Sequence, residues 1–111
     1  ISGSLEPFDQ KAGTVQAGLE FDRARNLSSM NNHALAFAAS PETQISRLND
    51  LDIATLVVHG TEDRLLPYGH GEALSKTIPG AHMMTIEKMG HDLPRAAWSR
   101  VISAVLEHTS D

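Results

Sequence analysis

The stretch Ile53-Ala-Thr-Leu-Val-Val-His-Gly60 decides the fold. Its apolar and β-branched side chains follow one another without polar alternation, and a glycine closes the run. A strand with one wet face alternates; a continuous run of this kind is the mark of a strand buried on both faces, as in a parallel sheet. His82-Met-Met-Thr-Ile86 reads as a second strand. Between them, Pro67 to Thr77 is helical, with Ala73 and Leu74 facing inward and Pro79-Gly80 ending it. After Gly90-His91, residues Trp98, Val101, Ile102 and Val105 stand at i, i+3, i+4 and i+7, the spacing of an amphipathic helix anchored by Trp98. Residues 53–107 therefore alternate strand, helix, strand, helix. The connection is long enough for a right-handed crossover, so the strands should be parallel. Two parallel strands are too few for a finished α/β domain, and the pattern describes one end of a larger sheet.

Upstream the signals are weaker. Residues 1–13 hold two Gly, a Pro and two Ser without a sustained period, and read as an irregular lead-in. Helical patterns follow from Thr14 to about Arg25 and from Ser28 to Ala39, neither with the long apolar face of a core helix. Ser40-Pro41 pairs a preferred N-cap with a residue suited to the first helical position, which predicts a short helix from Pro41 to about Leu48. The chain divides accordingly into a lead-in with small helices over 1–40 and a helix-strand-helix-strand-helix portion over 41–111.

Composition narrows the function classes. The 111 residues are 41% apolar and 21% charged, ordinary values for a globular chain. There is no cysteine, which excludes disulfides, thiolate metal sites and cysteine nucleophiles. Nine basic against fourteen acidic residues give a net charge of −5, with no Lys/Arg cluster of the kind a nucleic-acid partner requires. No run approaches the roughly 20 apolar residues of a membrane span, and no signal-peptide core opens the chain, so no membrane partner and a cytoplasmic location are expected. A chain that opens on Ile1 rather than Met is expected to be part of a longer polypeptide. The six histidines lack the helical i, i+4 pairing with an intervening acid that zinc hydrolases use, so no metal is expected. His59, at a strand end before glycine, reads as a buried, hydrogen-bonded core residue.

In open α/β sheets, ligands bind outside the carboxyl ends of the strands. Two segments occupy that place: Gly60-Thr-Glu-Asp-Arg-Leu-Leu-Pro67 after the first strand and Lys88-Met-Gly-His-Asp-Leu-Pro94 after the second. They bring carboxylates and an imidazole to one edge, and an acid aimed at a His ring fixes its tautomer and stabilises its protonated form. On charge grounds alone Glu62, Asp63 and Asp92 are equal candidates for the acid. Asp63 also suits a cap for the helix near Pro67, and His91 suits an ordinary place beside a glycine turn.

The stretch Thr55-Leu-Val-Val-His-Gly-Thr-Glu-Asp63, with Pro67 following, resembles the acid-bearing segment of the α/β-hydrolase superfamily. Ile78-Pro-Gly-Ala81 and Met89-Gly-His-Asp-Leu-Pro94 resemble its lead-in and catalytic-His segment, in the same order. The resemblance covers 41–111 and extends more faintly to Asp22-Arg-Ala-Arg-Asn-Leu27 and Asn32-His33, which resemble the end of the lid of bacterial cofactor-free esterases, the aclacinomycin methylesterase-like group included. It implies the C-terminal end of an α/β-hydrolase fold preceded by lid-derived helices. It further implies Asp63 as triad acid, His91 as triad base, Leu65 and Leu66 as apolar pocket wall, a small ester-like substrate and no cofactor. The superfamily's Gly-x-Ser-x-Gly nucleophile elbow does not occur in these 111 residues. The expected function is thus the acid and His of a serine-type hydrolase acting on an ester or related acyl bond, with the nucleophile outside this chain and the chain alone inactive. The alternative is a stand-alone, non-catalytic domain that self-associates or binds a partner through its open sheet edge.

Overall fold

The computed structural model describes residues 1–24, 26, 28, 30–39 and 46–110. Its elements are α1 (Gln10–Arg23), α2 (Met30–Ala39), a 3-10 turn (Arg47–Asp50), β1 (Leu56–Gly60), α3 (Tyr68–Thr77), β2 (His82–Ile86) and α4 (Arg95–Thr109). They form two compact units: residues 8–46 make one, and Ile1–Pro7 together with Arg47–Asp111 make the other.

In the unit of residues 8–46, α1 begins at Gln10, four residues before the expected start at Thr14. Its cap explains this, since Asp9 Oδ1 accepts the Ala12 N–H at 2.9 Å. No residue of α1 is buried. The helix expected from Pro41, capped by Ser40, lies outside the described residues as far as residue 45. Residues Arg47–Asp50 close as a 3-10 turn instead of continuing it.

In the other unit β1 and β2 pair in parallel, in a register running from Leu56↔His82 to Gly60↔Ile86. The alternation of strand side chains then assigns the two faces. Val58, Met84 and Ile86 share one face and pack with Met89, Ala97, Val101 and Leu5, where Ile86 and Ala97 are completely buried. His59 and Thr85 share the other, which α3 covers: the Tyr68 hydroxyl lies 2.6 Å from Thr85 Oγ1, and the His59 ring meets the Tyr68 ring edge-on. Helix, sheet and helix thus form three layers.

Both helices are turned from the expected phase. On α3, Ala73 and Leu74 are exposed, and Gly71 with the following Ile78 are buried. On α4 the inward stripe is Ala97, Val101, Ala104 and His108, while Trp98 is 48% exposed. The small Ala97 lets the helix lie close on the sheet. Trp98 instead stays at the surface, its Nε1–H donating to the Leu93 carbonyl at 3.2 Å with the Arg95 guanidinium 5.7 Å from its ring centre. That arrangement leaves Trp98, Ile102 and Val105 as an uncovered second stripe.

The lead-in is not loose chain. Leu5 donates its N–H to the Lys88 carbonyl at 2.8 Å and packs on the core. Pro94, at the cap of α4, makes no side-chain cap bond; Glu6 supplies one from the far end of the chain, its Oε2 accepting the Ala96 N–H at 2.9 Å.

Candidate active site

Asp63 is aimed by the turn that follows β1. The Asp63 N–H returns to the Gly60 carbonyl at 3.3 Å, and Asp63 Oδ1 accepts the N–H groups of Leu65 (2.9 Å) and Leu66 (2.8 Å). This Asx-type turn holds the carboxylate without capping α3, whose N-cap is Pro67. With Oδ1 occupied, Oδ2 faces outward from the turn and lies 2.9 Å from His91 Nδ1. A carboxylate only accepts, so Nδ1 carries the proton and Nε2 presents its lone pair. The His91 side chain is 39% exposed, and no hydrogen bond reaches Nε2 among the described residues.

His91 reaches Asp63 because the loop after β2 crosses the end of β1. Lys88 adopts a left-handed conformation with φ 62°, which turns the chain over the strand ends. The Glu62 N–H then donates to the Met89 carbonyl at 2.9 Å, and the Lys88 N–H donates to Thr61 Oγ1 at 2.9 Å. Gly60 and Gly90 lie where the crossing is tightest: a Cβ on Gly60 would strike the Met89 carbonyl, and one on Gly90 would strike the backbone of Ile1 and Gly3. The lead-in forms the third side, with the His91 N–H donating to the Ile1 carbonyl at 2.9 Å.

The other two acids have different partners. Glu62 accepts the Ser4 N–H (2.6 Å) and hydroxyl (2.7 Å), and Asp92 Oδ2 accepts the Ser2 hydroxyl at 3.0 Å. Of the three candidates on charge grounds, Asp63 is the one paired with His91. Leu65 and Leu66 follow Asp63 within its own turn, with Leu65 58% exposed. Ser2, Ser4 and Glu6 carry no periodicity or motif that marks them as part of this junction. Among the described residues no three His, Asp or Glu side chains gather as a metal-binding group, and no helix is long and apolar enough to cross a membrane.

Both turn carboxylates are held acidic. The Ser4 hydroxyl and N–H keep Glu62 below its ordinary value of 4.5. Burial opposes the charge on Asp63, but the Leu66 N–H, the His91 ring and the Leu65 N–H outweigh it and hold the carboxyl below 3.8. Unfolded, the same groups bind protons at those ordinary values, so their contribution to folding is complete above about pH 4.5 and is lost as pH falls through the lower folded values. Melting temperature should therefore decline on acidification below about pH 4.5, and Glu62→Gln should flatten part of that decline. Thermal melts across this range would measure it, and a variant curve parallel to the wild type would remove Glu62 from the junction's acid sensitivity.

Sequence comparison gives the chain a family. The profile of the family described as TAP-like protein matches residues 20–108. The chain belongs to that α/β-hydrolase family. Two curated relatives are also esterases by name. Rhodomycin D methylesterase DnrP of Streptomyces peucetius is 32% identical over 69 residues, covering 62% of this chain and 23% of the relative. Rhodomycin D methylesterase DauP of Streptomyces sp. (strain C5) is 35% identical over 72 residues, covering 62% of this chain and 24% of the relative. The chain thus spans about a quarter of the length of these curated relatives. Among solved structures, the esterase EaEST from Exiguobacterium antarcticum matches with a TM-score of 0.51 at 21% identity, over 55% of this chain and 23% of its own. That likeness is one of fold: the two parallel strands with their helices are those of an α/β-hydrolase fold.

Proposed function

We propose that this TAP-like chain supplies the acid and the base of a serine-type esterase. The observation that carries the reading is the 2.9 Å contact between Asp63 Oδ2 and His91 Nδ1, at the carboxyl ends of neighbouring parallel strands. In the reaction, His91 Nε2 takes the proton of a seryl hydroxyl as its oxygen attacks the ester carbonyl. The imidazolium, stabilised by Asp63, then gives that proton to the departing alkoxide, which leaves as the alcohol. Water then attacks the acyl carbonyl with His91 again as base; the bond to the seryl oxygen breaks, the imidazolium returns its proton to that oxygen, and the carboxylic acid leaves. The esterase names of the relatives favour a carboxylic ester as substrate. Leu65 and Leu66 would form apolar wall beside the acid, and the helices before residue 41 would derive from the lid. The seryl nucleophile and the donors of the oxyanion hole would come from parts of the whole protein outside these residues.

The 111-residue chain should hydrolyse a p-nitrophenyl ester no faster than free imidazole, and the whole protein should show saturable turnover that a serine-directed covalent inhibitor abolishes. Saturable, inhibitor-sensitive turnover by the chain alone would place a nucleophile inside it and defeat the assignment. A second reading, a non-catalytic domain that self-associates through its open strand edge, draws on the uncovered stripe of α4 and on β1 being paired along one side only among the described residues.

A further inference from the structure

His59 is the buried polar side chain of the described core, at 8% exposure. Its Nε2 lies 2.8 Å from the Leu66 carbonyl oxygen. A carbonyl only accepts, so Nε2 carries the ring proton and donates it there. Leu66 is also the residue whose N–H grips Asp63 Oδ1 at 2.8 Å. One residue therefore links the two side chains, its amide bonded to the acid and its carbonyl bonded to His59. The same Nε2 stands 3.6 Å from Asp63 Oδ2, the oxygen that faces His91. The imidazole has little freedom. The Tyr68 ring meets it edge-on at 5.7 Å and 89°, and α3 crosses so close at Gly71 that a Cβ there would strike Nδ1. Tyr68 is in turn tied to β2 through Thr85.

We infer that His59 is a positioning residue for the Asp63–His91 pair: its Nε2–H pins the turn that aims the carboxylate. The inference rests on the proposed hydrolase for its effect on turnover, and on geometry alone for its effect on Asp63. Core filling would need only bulk at this place. Positioning needs a donor at Nε2.

His59→Met and His59→Gln separate the two roles, because both side chains lose the ring and have similar length while only Gln ends in an N–H donor. In the whole protein, selectively labelled with ¹³C-Asp and ¹⁵N-His, unmutated His59 should show the Nε2–H tautomer. In His59→Met the Asp63 carboxyl should titrate closer to the ordinary 3.8, because the Leu65 and Leu66 donors loosen. Its kcat should fall by up to about 10²-fold with KM little changed, the scale expected when a catalytic group is displaced by about 1 Å. His59→Gln should recover most of both losses. An Nδ1–H tautomer in the unmutated protein overturns the inference, whether or not either variant folds. So do Met and Gln variants that are alike in Asp63 titration and turnover. An unmutated protein without turnover, but with the expected tautomer and Asp63 response, defeats the esterase proposal and leaves the positioning of Asp63 standing.

Discussion

In the whole protein, His91→Ala and Asp63→Asn should each lower kcat on the order of 10⁴-fold, with KM changed far less. For His91→Ala the loss is that of the proton acceptor itself. For Asp63→Asn the reason lies in the turn. Oδ1 of Asp63 accepts two backbone N–H groups, from Leu65 and Leu66, so the oxygen of an introduced amide must stay on that side. The amide NH₂ is then forced into the place of Oδ2, pointing at His91 Nδ1 across 2.9 Å. Facing a donor, Nδ1 has to accept, and the ring proton moves to Nε2, where the lone pair is needed. The variant would thus keep its turn and hold the imidazole in the wrong tautomer. Asp92→Asn should cost far less, because the Asp92 carboxylate is engaged by the Ser2 hydroxyl. Wild-type rates in His91→Ala or in Asp63→Asn would remove that residue from the mechanism.

The strands were legible because their signal is local. The unbroken run before Gly60 gives β1, although its pairing begins at Leu56 and leaves Ile53 66% exposed. The phases of the helices were not legible in the same way. Periodicity weights large apolar residues, so it favours Trp98, whereas close packing on a sheet selects the small Ala97, which is wholly buried. Charge and position brought three acids to the right edge without separating them. The separation depends on backbone geometry, namely an Asx-type turn that leaves one oxygen of Asp63 free for His91. The part played by Ile1–Pro7 was hidden for a related reason. Its bonds join residues far apart in the chain, as between Ser4 and Glu62, and no local period of Ser, Gly and Pro encodes such a contact.

The 111-residue chain should self-associate at micromolar concentration. Among the described residues β1 is hydrogen-bonded to β2 along one edge, which leaves a row of backbone N–H and C=O groups along the other, beside the half-buried Leu56, Val57 and Val58. An open edge of this kind is a template for another strand. A second copy related by a two-fold axis would bring β1 against β1 antiparallel, each strand completing the other's hydrogen bonds. The exposed stripe of α4 works in the same direction: Trp98, Ile102 and Val105 are 48%, 56% and 44% exposed, and Leu106 adjoins them at 64%. The opposing influence is the net charge of −5, whose repulsion salt screens, so association should strengthen as ionic strength rises. Sedimentation equilibrium at two salt concentrations would measure it, with the mass of two chains or more as the expected result. A clean monomer that unfolds cooperatively would mean that the chain covers this edge by itself, and would count against both the open-edge dimer and the reading of these strands as one end of a larger sheet.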